Sequence, residues 1–561
     1  MNEHLEQLAP QPLWRHFRTL CNTPRPSGHE AELVSILERW AERQGLVHDR
    51  DGFGNLRLRK PATPGHENAP GIILQGHLDM VAQANADHPH DFTRDPIETY
   101  VEDGWLRARH TTLGADNGLG VAAALAILED SELVHGPLEA LFTLEEESSM
   151  GGALQLAENW LDGRVLLNLD SEDRGEVFIG CAGGADVVVE AQLPTAEPGP
   201  GEVAVQLALT GLSGGHSGID IHRGRGNANR LLVRVLRALE AYDIRLVGYQ
   251  GGTLRNAIPR EAFATLMLSA DEIDAVASRV ATLEQELRTE LAGVDDGLTL
   301  AMTPLEARPA QALNAHASHM LLAALNAAPY GVERMSSSVP GVVETSNNLG
   351  VVSLDEGRFH LCALVRSLRD SAVNDLADRF RGLFDLIGAR TRVENAYPGW
   401  TPATDSALLA RFRRLHRQHV GSEPAVKVIH AGLECGILAG KYPALEMISF
   451  GPSIRGAHSP DERVELSSVE EFWGLLRALI EDLAASGRLE NTLVIAMSEF
   501  GRTPLINAHA GRDHWCDSWT VAMAGCGLKP GAVVGATDAK GIWTVDQGYD
   551  IGHLFHTWFR C

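Results

Sequence analysis

His77 and Asp79 close the apolar run GIILQGHLDM, residues 71–80, and their types and spacing suit chemistry at a strand end. In an open α/β sheet the groups just past a strand's C-terminal end face the ligand crevice. An imidazole there can hold a metal through one nitrogen when an acceptor holds the other, so the pair reads as His77 the ligand and Asp79 its orienter. Taken alone, the pair fits a core histidine near a turn better than a ligand. Further donors lie in comparable settings: Asp116 opening a small-residue helix, Glu145-Glu146-Glu147 after LEALFTL, Asp170 ending RVLLNLD, and His458 beyond ALEMISF. Three successive carboxylates at the end of a buried strand repel one another unless a cation or solvent offsets them. Two imidazoles and three carboxylates suit two Zn²⁺ ions, with Mn²⁺ or Co²⁺ as alternatives, one carboxylate bridging the pair. Such ions polarise a carbonyl and lower the pKa of a water between them, while a carboxylate that is not a ligand serves as general base and then acid.

The elements that must position these groups are legible as pattern. Residues 11–46 carry apolar residues at helical spacing around a turn at Pro24–Gly28, and Asp51-Gly52-Phe53-Gly54-Asn55 reads as a hairpin turn. Short apolar runs bounded by turns, as in GIILQG and LEALFTL, read as buried parallel strands. From Asp186 the texture changes to alternating strands and amphipathic helices, with two similar antiparallel units the expected layout; after Pro398 the α/β texture resumes, as a first domain continues after an insertion. Two other patterns compete. Gly118-Leu119-Gly120 followed by Ala123 imitates a dinucleotide fingerprint, without a well-placed strand or acidic partner. Gly211-Leu212-Ser213-Gly214-Gly215 satisfies G-x-S-x-G, which would make Ser213 the nucleophile of a serine hydrolase if an acid and a histidine shared its crevice.

Composition narrows the partners. The 561 residues are too many for one core, and 48 Lys plus Arg against 74 Asp plus Glu give a net charge of −26, which argues against nucleic acid or anionic membrane. Seven scattered cysteines without a CxxC pair fit reduced thiols. The opening MNEHLEQLAPQPLW lacks the basic start and apolar core of a signal peptide, and no apolar run is long enough to span a membrane, so the expected location is the cytoplasm.

Collected, HLDM, TTLGADNG, FTLEEESSMGGA, LLNLDSEDRGEVFIGCAGG, GGHSGIDIHRGRGNANRLL, RNAIPRE, VIHAGLECG and GAHSPDERVEL resemble the aminoacyl-histidine dipeptidases, the bacterial Xaa-His or carnosinase-like branch of the co-catalytic zinc peptidases. The similarity runs over roughly residues 5–480. The resemblance implies an α/β fold with a doubly wound catalytic domain in two parts, residues 1–185 and 395–482, interrupted by an inserted α+β lid domain, residues 186–394. It implies hydrolysis of dipeptides ending in histidine, with an N-acyl-amino-acid deacylase or aminopeptidase as the nearest alternative on the same scaffold, and it is compatible with a homodimer. Carried over residue by residue, Asp116 is the bridging ligand, His77 and Asp170 hold one metal, Glu147 and His458 hold the other, and Glu146 is the base. Asp79 orients His77, and His216 stabilises the oxyanion from the lid. Asn256, Arg366 and Gly432 contact substrate. Ser148-Ser149 depart from the family's usual small residue and glycine.

The chain then continues through an appended segment, residues 483–561, whose MSEFGRTP and GRDHW resemble the C-terminal part of an uncharacterised, often exported family related to sulfatases and alkaline phosphatases. That resemblance marks Asp513 and His514 as metal-site residues of a superfamily whose other parts are missing. About 75 residues are too few for a core of that type, so the expected behaviour is that of a fusion remnant.

Overall fold

The computed structural model describes residues 1–85, 88–486, 493–498, 501–526, 528–529, 531–545 and 548–558. Residues 86–87 of the polar loop, Glu499 and Phe500 of MSEFGRTP, and Cys561 lie outside the described residues. The chain divides into two compact units: Met1–Lys60, Ile72–Ser131 and Leu138–Leu479 form the first, and Pro61–Gly71, Glu132–Pro137 and Ile480–Cys561 the second.

The first unit opens with α1 (Gln11–Asn22) and α2 (Ala31–Gln44), which ends where Gly45 takes a left-handed φ of 70°. β1 (Val47–Arg50) and β2 (Leu56–Lys60) make the expected hairpin, its turn held by Asp51, whose Oδ1 accepts from the N–H groups of Phe53, Gly54 and Asn55. There follow β3 (Ile72–His77), β4 (Thr99–Glu102), β5 (Trp105–Ala108), α3 (Ala115–Glu129), β6 (Leu138–Thr143), β7 (Val165–Asn168) and β8 (Glu176–Cys181). Every residue of β3, β6 and β7 is buried, as continuous apolar runs require when helices cover both faces of a parallel sheet.

A second layer is inserted next. It comprises β9 (Gly183–Gln192), β10 (Glu202–Thr210), α4 (Ala228–Leu239), β11 (Arg245–Gly251), β12 (Ala262–Ser269), α5 (Ile273–Glu290), β13 (Thr299–Pro304), α6 (Ala315–Ala327), β14 (Gly331–Met335), β15 (Val343–Asp355), β16 (Arg358–Ser367), α7 (Asp370–Asp385) and β17 (Arg390–Tyr397). Its strands form one nine-stranded antiparallel sheet, in the order β13-β10-β12-β11-β15-β16-β9-β17, with β14 on β15. β11 pairs with β15, which joins two four-stranded halves, β13-β10-β12-β11 and β15-β16-β9-β17, into a single sheet over a shared core of Leu207, Leu236, Leu266, Leu361 and Phe380.

The chain returns with α8 (Ala407–Val420), β18 (Ala425–Ile429), α9 (Glu434–Lys441), β19 (Glu446–Ser449), β20 (Ile454–Arg455), β21 (Arg463–Glu465) and α10 (Leu466–Ala484). β19 lies parallel to β7 and β18 parallel to β8, which completes an eight-stranded sheet in the order β1-β2-β6-β3-β7-β19-β8-β18; β20 and β21 join β5 and β4 in a small sheet. The two crossings between the large sheets run side by side. Cys181 N donates to Trp400 O at 3.1 Å and Trp400 N to Cys181 O at 3.0 Å. A Cβ on Gly183 would stand 2.4 Å from Gly399 N, so only glycine allows this approach.

The second unit holds the tail, with short strand pairs 494–496 with 522–524 and 501–502 with 514–515. Among the described residues no hydrophobic side chain after Ala484 is buried, and Val533 and Val534 stand 89% and 77% exposed. Asp513 Oδ1 accepts from Asn507 Nδ2 at 2.8 Å. Among the described residues no helix is long and apolar enough to cross a membrane.

Candidate metal centre and substrate pocket

Four loops at one end of the eight-stranded sheet bring the strand-end donors together. His77 is the last residue of β3 and lies 1% exposed, opposite Thr143 of β6. Asp170 stands two residues past β7, and Glu146 and Glu147 open a helical turn just after β6. Asp116 comes from the start of α3, where its own backbone is extended at φ −82° and ψ 112°, and His458 from the turn between β20 and β21 at φ 63°. His458 is thus presented by the small sheet, some way past the strand the sequence reading placed it beside.

Asp116 faces two ways. Its Oδ1 lies 3.1 Å from His77 Nε2 and its Oδ2 3.2 Å from His458 Nε2. Asp170 Oδ1 is 3.4 Å from the same His77 nitrogen, and Glu147 Oε2 is 3.1 Å from His458 Nε2. His77 Nδ1 points at Asp79 Oδ1, 3.4 Å away. Asp79 also accepts from Ser27 Oγ at 2.7 Å and from the N–H groups of Glu146 and Glu147, which ties the His77 strand to the carboxylate loop.

The electrostatics of this end are those of a site short of positive charge. Burial opposes ionisation of Asp170 and, with the charge of Asp116, pushes it up to about 8; burial likewise raises Glu146, with Asp170, Glu434 and Glu147 adding to the effect against His77. Both imidazoles are pulled toward the charged form: His458 rises to about 11 through its bonds to Asp116 and Glu147, and His77 rises although burial opposes it. Burial works against ionised Asp79 as well, yet its bonds from His77, Ser27 and Glu146 hold it down at about 2. Glu147 Oε1 is buried without a hydrogen-bond partner, and donor atoms of His77, Asp116 and Glu147 all lie within 4.8 Å of one another. An orphaned carboxylate oxygen among oxygen and imidazole donors fits a divalent cation.

The second layer supplies a different group. Gly215 and His216 pair with Ile258 and Ala257, beside the exposed Asn256, whose backbone carbonyl accepts from Ser217 N at 2.8 Å. His216 Nδ1 accepts from the N–H groups of Gly218 and Ile219 at 3.2 and 3.1 Å, so the neutral ring carries its proton on Nε2. Burial, then the nearby Arg366, lower His216 to about 4. Arg366, 5% exposed on β16, donates from Nη1 to Tyr397 Oη at 2.8 Å, and its Nε has no partner. A Cβ on Gly432 would stand 3.0 Å from the Tyr397 ring and 3.2 Å from Met150 Cε, so Gly432 packs closely between the two. Ser346, opposite Arg366 across the β15–β16 pair, holds His430 Nε2 at 2.7 Å.

The competing motifs find other uses. Ser213 Oγ donates to Val294 O at 3.4 Å rather than to a histidine, which leaves G-x-S-x-G a surface turn. Gly118 and Gly120 serve packing: a Cβ on Gly120 would stand 2.4 Å from Leu169 O. The sequence reading missed Tyr397, Ser346 and His430, and also Glu434, 1% exposed, which accepts from Gln75 Nε2 at 2.6 Å and Thr143 Oγ1 at 2.7 Å beneath His77. A lone carboxylate in the apolar stretch AGLECGILAG was the available signal for Glu434.

Fold and site together define a metal-dependent hydrolase of amide bonds. The chain belongs to Peptidase family M20/M25/M40, whose model matches residues 73–482. It is 46% identical over 482 residues to the cytosol non-specific dipeptidase of Escherichia coli (strain K12), covering 86% of this chain and 99% of that protein. The crystal structure of aminoacylhistidine dipeptidase from Vibrio alginolyticus superposes with a TM-score of 0.80 at 45% identity, over 86% of this chain and 98% of that one. A second model, a protein of unknown function (DUF1501), matches residues 465–560, so the two matches overlap on α10.

Proposed function

We propose that this chain is a cytoplasmic dipeptidase that uses two divalent metal ions, Zn²⁺ in the first place, and prefers dipeptides with a C-terminal histidine. The observation that carries it is Asp116, whose two carboxylate oxygens each face a separate imidazole-carboxylate pair. His77 and Asp170 would hold one ion, Glu147 and His458 the other, with Asp116 shared. When bound, the ions supply Lewis acidity toward the scissile carbonyl and acidify a water. Glu146, made basic by burial and its acidic neighbours, takes the proton of the attacking water and delivers it to the departing amine. His216, neutral at working pH with its proton on Nε2, donates to the developing oxyanion from the inserted layer, residues 186–394, acting as a lid. Asn256 assists there, and Arg366 receives the terminal carboxylate beside Gly432, its fork matching two oxygens. The dipeptidase names of both relatives support the reaction, the Vibrio protein's name supports the histidine preference, and the Escherichia coli name supports the location. The tail, residues 483–561, takes no part in this chemistry.

The test is a panel of Xaa-His dipeptides, other dipeptides and N-acyl amino acids, assayed on metal-stripped protein and after restoration with Zn²⁺ or Mn²⁺. Hydrolysis led by Xaa-His members, lost on stripping and regained on restoration, is the expected result. Preference for N-acyl amino acids would favour the deacylase alternative, and turnover that survives exhaustive chelation would sink the metal reading.

A further inference from the structure

Two buried side chains, Arg25 and Glu462, 1% and 2% exposed, both reach the peptide unit at Gly114, just before Asp116. Glu462 lies in the same turn as His458 and accepts four backbone N–H groups: Leu113 at 2.7 Å and Gly114 at 3.0 Å on Oε2, Ala115 at 2.8 Å and Asp116 at 3.4 Å on Oε1. These are the free donors at the start of α3. Arg25 takes the complementary groups. Its Nη1 donates to Leu78 O and Asp79 O, both at 2.9 Å, and its Nη2 to Gly114 O at 2.5 Å. The peptide unit at Gly114 is therefore gripped on its N–H by an anion and on its C=O by a cation. A Cβ on Gly114 would stand 2.6 Å from Arg25 Nη2.

Glu462 takes those donors from 346 residues away, while the Asp116 side chain faces His77 and His458. Arg25 fixes the loop after His77 to the loop before Asp116, while Glu462 fixes the His458 turn to that same loop. We propose that Glu462 and Arg25 are positioning residues, Glu462 holding the His458 turn and so governing the metal position of His458 and Glu147, and Arg25 holding the loop after His77 and so governing that of His77 and Asp170.

The inference rests on the two-metal reading, and stepwise metal binding separates its failure from that reading's. Zn²⁺ binding to the metal-free full chain is measured by competition with a chromophoric chelator, and the Co²⁺ form by its visible spectrum. Wild-type protein takes two ions. Glu462→Gln, which turns one acceptor oxygen into a donor facing N–H groups, retains one ion at wild-type affinity and binds the other about 10- to 100-fold more weakly. Arg25→Lys, measured in parallel, keeps its charge but cannot span three carbonyls, and it weakens the complementary position by a similar factor. Two wild-type affinities in folded Glu462→Gln, or equal loss at both positions, overturn the proposal. If Glu462→Gln does not fold, Arg25→Lys decides alone by the same criterion. A wild-type protein that takes no metal refutes the two-metal reading itself.

Discussion

The metal end of the first sheet and the pocket of the second layer are built with opposite electrostatics. Around Asp116, carboxylates outnumber imidazoles, Asp170 is pushed up to about 8 and His458 to about 11. Around Arg366 the shifts reverse: His216 falls to about 4 and His430 to about 3, because burial and the guanidinium both disfavour a further positive charge. One region lacks a cation and the other an anion. Under the proposed function, a dipeptide's terminal carboxylate would answer the second region and ions would answer the first. Buried, mutually repelling groups in two places of one chain then have a common reason, each completed by what it binds.

The largest effect is expected at Asp116. Asp116→Ala removes the ligand proposed to be shared, and metal analysis with kinetics should find activity at the level of metal-free protein. Next comes Glu146→Gln, where kcat falls by about 10²- to 10⁴-fold while metal content stays at the wild-type value. On the cationic side, Arg366→Met should lower kcat/KM by about 30-fold or more, chiefly through KM, and erase the preference for a free carboxylate over a C-terminal amide. A smaller effect concerns stability. His430 is held at about 3 by burial, with Arg366, His216 and His222 adding to it, so between pH 6.5 and that value the unfolded chain binds a proton that the folded protein refuses. Stability from this group is therefore complete above pH 6.5 and falls as the pH drops, by at most about 1.4 kcal/mol per unit. His430→Gln should flatten the decline of Tm with acidification, followed by calorimetry. The smallest effect is expected from truncation after Ser486: kcat/KM is unchanged, and limited proteolysis of the full chain cuts the tail before the remainder.

Much of the metal side was legible because its chemistry is written locally. A continuous apolar run ending in His77 or Asp170 announces both the buried strand and the residue at its end, and three glutamates after LEALFTL announce a site that needs a cation. Asn256, Arg366 and Gly432 came only through resemblance, since nothing in their neighbours marks a pocket. Arg25, Ser346, Tyr397, His430 and Glu462 were illegible for a physical reason. Their partners are backbone groups and side chains far along the chain, as with Glu462 and Leu113, and no periodicity encodes such pairings. The continuous nine-stranded sheet was hidden similarly: alternating strands declare their faces, but not which neighbour they pair with.

The paired crossings at Cys181–Gly183 and Tyr397–Trp400 have a mechanical meaning. Two segments bonded to each other, with glycines in backbone contact, resist sliding or splaying where the chain passes between the two large sheets. Tyr397, which receives the hydrogen bond of Arg366, belongs to that seam, so the guanidinium is braced by the same few residues that fasten one sheet to the other.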